Sequence, residues 1–398
     1  MIINKKPTIK NMGAFSIQFL NSISVEKIGY RGISHLVEHC MCEKLKELEN
    51  DFIKYGLSYN AGTSSTGVCF YLTGLDKYVC KFKNEFIDAI LNYEITEDVF
   101  NREKNIIVQE YIQSFSNQQS EFLKNFSRKM FNDYGAIGFI DDIKNITYND
   151  FMSFKNEFFS IPDYLINVSN HKLKIKNIDK KIIKNVPNEI PANFSINDSN
   201  KIKYESYSSY DENRCILLYS FFNDEQKNYE RFLYNFIFCR YMSDGLSSPL
   251  YKEIREKLQC VYNIGSMIKN IDNKNFMLFT ILFTTNDNVK RVEDELINCY
   301  QNIELKEDRF NDIICSLKIE EEKSNIMDQI KAEDDGFNKQ IKKLIENTKF
   351  NFEKFKSYVN EFLRSNITVT NDLKFKNECE DSINEWWSRN FIKVVFSS

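Results

Sequence analysis

The stretch His35-Leu36-Val37-Glu38-His39 decides how this chain is read. The protein has only three histidines in 398 residues, and two of them stand four apart here. On a helix that spacing puts both imidazoles on one face, one turn apart, where they can share a metal ion. Glu38 follows His35 by three residues, near the same face, within reach of a water on that ion. Gly32 and Ser34 lead into the helix, whose apolar pattern runs to about Tyr55, and Gly56 stands where glycine commonly ends one.

Beyond that stretch the composition is that of a globular protein, with 42% hydrophobic and 28% charged residues. A net charge of −4 argues against a dedicated nucleic-acid binder. The lysine-rich run from Lys172 to Lys184 is followed by acidic residues and reads as solvated surface. No run of eighteen apolar residues exists, so no membrane span is expected. Met1 to Lys10 lacks the apolar core of a signal peptide. Ten cysteines are scattered, several inside apolar runs such as Phe236-Ile237-Phe238-Cys239, as reduced core residues are. These features make the cytoplasm the default expectation. Cys40-Met41-Cys42 admits a thiolate–zinc reading, disfavoured because structural zinc sites pair cysteines on both sides of a loop.

Alternation and helical periodicity read the first half as strand, helix, strand, helices. Strands are expected over Ala14 to Leu20, Val68 to Thr73 and Leu165 to Val168. Helices are expected over Lys81 to Leu91, Thr96 to Phe115, Ser120 to Phe131 and Tyr148 to Phe158. From His171 to Asn200 the period is lost, and Pro187 and Pro191 mark a connection. Strand Ile216 to Phe222, helices Gln226 to Met242 and Leu250 to Leu258, and strands Val261 to Ile271 and Asn275 to Thr285 follow. Gly32-Ile33-Ser34-His35 and Gly245-Leu246-Ser247-Ser248 echo one another and hint at a duplicated α+β unit. The expected division is 1–175 with the histidine motif, a linker 176–200, and a second domain 201–398.

A catalytic zinc usually takes three protein ligands and a water. His171, beside the lysine run, reads as an ordinary surface or strand-end residue. Glu103 and Glu110 are seven apart on one face of a helix anchored by Ile106, Ile107 and Val108. Unaided, they would ordinarily be read as a solvated pair on an amphipathic helix.

The motif, an inverted-zincin pattern, together with Glu103 and Glu110, resembles the insulinase/pitrilysin family of metallopeptidases. There the third zinc ligand is a glutamate several tens of residues after the motif, with another important glutamate seven residues before it. Here the interval is 110 − 39 = 71. The resemblance implies one zinc per chain on His35, His39 and Glu110, Glu38 as general base, and Glu103 orienting a ligand histidine. Glu103 stays open as the alternative ligand. Asn60-Ala61-Gly62-Thr63 is similar to the family's edge strand, which pairs with substrate backbone. Gly245 to Tyr262 resembles its second conserved region and supplies the arginine–tyrosine pair as Arg255 and Tyr262, which would hold the substrate carbonyl.

The implied fold is α+β: two similar domains, each an antiparallel sheet with helices on one face, forming half of a clamshell. The implied function is a zinc endopeptidase acting on peptides or unfolded segments in an enclosed chamber, with a dedicated leader-removing peptidase as the narrower reading. The rival is a catalytically silent subunit of a heteromeric peptidase. At half the length of four-domain members the chain would dimerise with a copy of itself or a related subunit. Neither nucleic acid nor membrane is an expected partner. Cys40 to Leu45, Val68-Cys69 and Pro249 depart from common family residues, which bears on substrate preference and leaves the reaction intact.

Overall fold

A computed structural model describes residues 2–64, 67–114, 124, 134–171, 213–223, 229–270, 275–322, 330, 336–364, 366–370 and 392–395. These fall into two compact units. One takes the described residues up to His171 with Ile330 and Gly336; the other takes the rest. The expected linker 176–200 and most of the expected helix Ser120 to Phe131 lie outside the described residues.

The first unit is a five-stranded sheet of order β1-β5-β2-β4-β3. Its strands are β1 Ile2–Lys5, β2 Met12–Phe19, β3 Ser58–Ser64, β4 Gly67–Leu75 and β5 Tyr164–Val168. All neighbours are antiparallel except the edge pair β1–β5, which is parallel. The register sets Phe15 opposite Leu72, Ile17 opposite Phe70 and Phe19 opposite Val68. With a side-chain period of two, that pairing turns one apolar row toward the helices. It packs there against Leu36, Val37, Phe86, Phe100 and Phe151. On the other sheet face Ala14, Ile166 and Val168 are covered by Ile330. Among the described residues strand β3 pairs only with β4, which leaves its other edge unpaired there.

The helices are α1 Ile33–Met41, α2 Leu45–Lys54, α3 Asp76–Leu91, α4 Glu97–Ser114, α5 Ile140–Asn145 and α6 Tyr148–Phe158. The single helix expected to run to Tyr55 is therefore two. At the junction the amides of Leu45, Lys46 and Glu47 bond to the carbonyls of Cys42, Glu43 and Lys44. This tighter three-residue bonding turns the chain between two α-helical segments. Helix α3 starts at Asp76, earlier than its apolar spacing suggests, because the Asp76 carboxylate is buried accepting from Ser169 Oγ and the Asn170 amide. Thr147 opens α6 with a capping box to Asp150.

The second unit repeats the plan with order β10-β9-β6-β8-β7, all antiparallel. Its strands are β6 Asn213–Asn223, β7 Ile264–Asn270, β8 Asn275–Thr285, β9 Asn366–Thr370 and β10 Ile392–Val395. Its helices are α7 Tyr229–Ser243, α8 Val289–Gln301, α9 Glu307–Glu322, α10 Gly336–Asn347 and α11 Phe352–Arg364. The stretch Leu250 to Leu258, expected as an α-helix, contains a wider π-helical turn over Tyr251–Glu256. The two Gly-x-Ser turns are not equivalent positions: Gly32 precedes the first helix of its unit, whereas Gly245 follows α7.

Candidate metal centre

Helix α1 delivers the motif, and its start is fixed from two sides. Gly32 adopts φ +97°, and a Cβ there would lie 3.0 Å from the Ile137 carbonyl, so glycine fits both the conformation and the space. Gly32 offers no side-chain cap; instead the buried Glu26 carboxylate accepts from the amides of Gly32 and Ser34, each at 2.9 Å. A carboxylate at a helix N-terminus satisfies orphan donors and complements the dipole. Burial nevertheless raises the Glu26 pKa to about 7, against the pull of those two amides.

One turn in, His35 and His39 stand with ring centroids 4.7 Å apart and planes at 88°. Their Nε2 atoms each lie 3.7 Å from Glu110 Oε2 on α4. One donor atom from each of the three residues lies within 4.8 Å of the others. Zinc binds imidazole nitrogen and carboxylate oxygen at about 2.0–2.2 Å, so tetrahedral donors sit roughly 3.4 Å apart. The donor set fits: the separations are too long for direct hydrogen bonds and close to those around one ion. Glu110 is 41% exposed, so the set meets solvent on that side. Burial, with His39 adjacent, pushes the His35 pKa down to about 4, which leaves a neutral imidazole as a metal requires. Its Nδ1 is buried and has no partner among the described residues.

Glu38 is buried beside these donors. Its Oε2 accepts from Thr63 Oγ1 at 2.7 Å, a contact from the edge strand that resemblance had assigned only to substrate. Burial raises the Glu38 carboxyl above its ordinary range, opposed by the Thr63 hydroxyl. Glu103, 4% exposed, places Oε2 3.3 Å from His39 Nδ1. It therefore stands behind a histidine, outside the group formed by His35, His39 and Glu110.

On β3, Asn60 and Gly62 are exposed while Ala61 and Thr63 turn toward α1 and the core. The Asn60 side chain accepts from the Ala61 amide. In the second unit the Arg255 guanidinium lies over the rings of Tyr251 and Tyr262, at 4.9 and 5.0 Å. Tyr262 is 84% exposed. Tyr251 was not singled out by sequence; its signal was the four-residue spacing to Arg255. Cys40 and Cys42 have thiols pushed well up by burial, which does not favour a thiolate site. His171 is engaged through its backbone, to Ser169 and Asn167.

Comparison with known proteins gives the family and the fold. Residues 25–136 match the insulinase family, peptidase family M16, and residues 145–314 match the domain described as the peptidase M16 inactive domain. The chain belongs to the insulinase/pitrilysin family. It is 23% identical over 292 residues to an uncharacterized zinc protease of Rickettsia felis, covering 68% of this chain and 70% of that one. In fold it is similar to a protease from Helicobacter pylori, with TM-score 0.70, 15% identity, and 94% and 97% of the two chains covered. The first half of the periplasmic protease PqqL from Escherichia coli gives TM-score 0.65 at 13% identity, covering 100% of this chain and 96% of that half. Against whole PqqL, with TM-score 0.63, the chain spans 50% of the length. No described helix is long and apolar enough to cross a membrane.

Proposed function

We propose that this chain is a zinc-dependent endopeptidase that hydrolyses peptides or unfolded segments. The observation that carries the reading is the convergence of His35, His39 and Glu110 donors beside a buried, non-ligating Glu38. Zinc bound there would polarise the scissile carbonyl and acidify a water. Glu38 would accept a proton from the attacking water and pass it to the leaving amine. The Thr63 hydroxyl holds the carboxylate for both transfers. The open edge of β3, through Asn60 to Thr63, offers backbone groups to an extended peptide, which gives affinity with little sequence demand. Arg255 and Tyr262 would serve the zinc site of a partner chain, binding the substrate carbonyl and steadying the developing oxyanion there.

The remaining features of this reading are one zinc per chain, a dimer of like or related chains enclosing the substrate, and a role in removing peptide leaders. Eight described cysteines are free, which suits a reducing compartment and supports the cytoplasm. Metal analysis and peptide cleavage test the reading together. Glu38→Gln should keep its zinc and lose about 10²–10⁴-fold in rate. Parent-like cleavage by that variant removes the reading. A parent chain with far less than one zinc would instead be the silent subunit suggested by the inactive-domain match over 145–314.

A further inference from the structure

Glu103 is buried, yet the charges that complete it are not. Its Oε1 accepts from Arg102 Nε at 3.2 Å, Arg102 Nη2 at 3.1 Å and Lys46 Nζ at 3.4 Å. The same two cations meet again on Glu43 Oε2, at 2.5 Å for Arg102 and 2.6 Å for Lys46. The result is a closed ring of alternating charge: Glu103, Arg102, Glu43, Lys46. It is neutral in sum and ties three elements together. Glu43 lies in the turn after α1, Lys46 at the start of α2, and Arg102 with Glu103 on α4. Only the break between α1 and α2 brings Glu43 and Lys46 to this place.

The geometry points to Arg102, Lys46 and Glu43 as positioning residues for His39, acting through Glu103. With Oε1 pinned by two cations, Glu103 cannot swing away from His39 Nδ1 without breaking several charge-assisted contacts. The Nδ1 proton is then held on the Glu103 side, and Nε2 stays free and aimed at Glu110. Among the described residues His35 has no such brace, since none of them bonds to its Nδ1. Exposed ion pairs contribute little, but here the shared acceptor is 5% exposed although Arg102 is 47% and Lys46 54% exposed. Losing an outer partner of a metal-bound histidine commonly weakens metal affinity by about 10–100-fold.

This inference rests on the zinc site proposed above, and its test separates the two. Zinc dissociation constants would be measured by chelator competition for the parent chain, Arg102→Met, Lys46→Met, the double variant, and each in a Glu103→Gln background. The melting temperature of the metal-free chain serves as the folding control. The double variant should bind zinc roughly 10-fold or more weakly, and Glu103→Gln should bind it about 10–100-fold more weakly. In the Glu103→Gln background the Arg102 and Lys46 changes should add less than about 2-fold, since residues acting through one partner are not additive. Parent-like affinity in the double variant overturns the inference, as does an undiminished loss without Glu103. A parent chain that takes up no zinc overturns the proposed function instead.

Discussion

The two units thread the same path and fill it differently. In each, a long strand runs to helices, an antiparallel pair, further helices and a closing strand: β2, β3–β4 and β5 in the first, β6, β7–β8 and β9 in the second. The helix after the first long strand is α1 in one and α7 in the other. Helix α1 presents His35, Glu38 and His39. Helix α7 buries Leu233, Tyr234, Ile237, Phe238, Tyr241 and Met242. Among the described residues the only group able to hold a metal belongs to the first unit. The frame therefore accommodates either filling, and the chemistry comes from a few positions on one helix together with the neighbours that receive them. In the first unit two buried polar groups of the motif are met by side chains, Glu38 by Thr63 and His39 by Glu103. In the second unit two buried tyrosines are met by backbone, the Tyr234 hydroxyl accepting from the Asn351 amide and that of Tyr241 from the Lys306 amide.

The strongest way to break this contrast is to remove a first-unit ligand and a second-unit core residue in parallel. His39→Ala should abolish stoichiometric zinc and lower cleavage by about 10³-fold or more, while moving the melting temperature of the metal-free chain little. Phe238→Ala removes a ring packed against Tyr300, Phe355 and Phe362. It should cost about 3–5 kcal/mol of stability and leave zinc content unchanged in the protein that remains folded. If Phe238→Ala instead released zinc at a temperature where both units are folded, the division of labour between the units would fail.

A pH experiment sharpens the same comparison at the turns. Glu26 secures the start of α1, whereas Arg309 secures the turn after α7, donating to the carbonyls of Tyr241 and Asp244 and to Ser247 Oγ. Arginine keeps its charge throughout the working range. Glu26 does not: its folded pKa is raised from 4.5 to about 7. Between those values the folded chain holds a proton that the unfolded chain has released, so stability falls as pH rises through the window. Glu26→Gln has no such proton to lose. Its denaturant stability should improve relative to the parent by up to about 3 kcal/mol between pH 4.5 and pH 8. A constant difference across that range would show that Glu26 is already ionised in the fold.

What the residues disclosed before the fold was known follows the same division. His35, His39 and their helix were legible because the i, i+4 rule is local. The long apolar strands were legible because Phe15, Ile17 and Phe19 alternate. Helix α4 showed its face, but nothing local could say that Glu110 rather than Glu103 faces both Nε2 atoms, since both lie on it; resemblance made that choice. The short strand β1 and the role of Glu26 were illegible for a different reason. Strand β1 exists through parallel pairing with residues 165–168, far along the chain. Glu26 reads as an ordinary surface acid until the Gly32 turn folds over it. The Arg102, Lys46 and Glu43 ring has the same origin, since it needs the α1–α2 break that the helical period concealed.

The smallest expected effect bears on the junction between the edge strand and the motif. Thr63 was assigned to the strand that would pair with substrate, and its backbone remains on that edge. Its side chain, however, faces inward and donates to Glu38. A hydrogen bond to a charged group contributes about 1.5–3 kcal/mol, and part of that is felt in orienting the base. Thr63→Val keeps the β-branched shape that suits a strand and removes only the donor. It should lower kcat about 10-fold at unchanged KM and unchanged zinc content, with Thr63→Ser restoring most of the rate. Were KM to rise instead while kcat held, Thr63 would be acting through substrate binding, and the edge strand rather than the helix would own the residue.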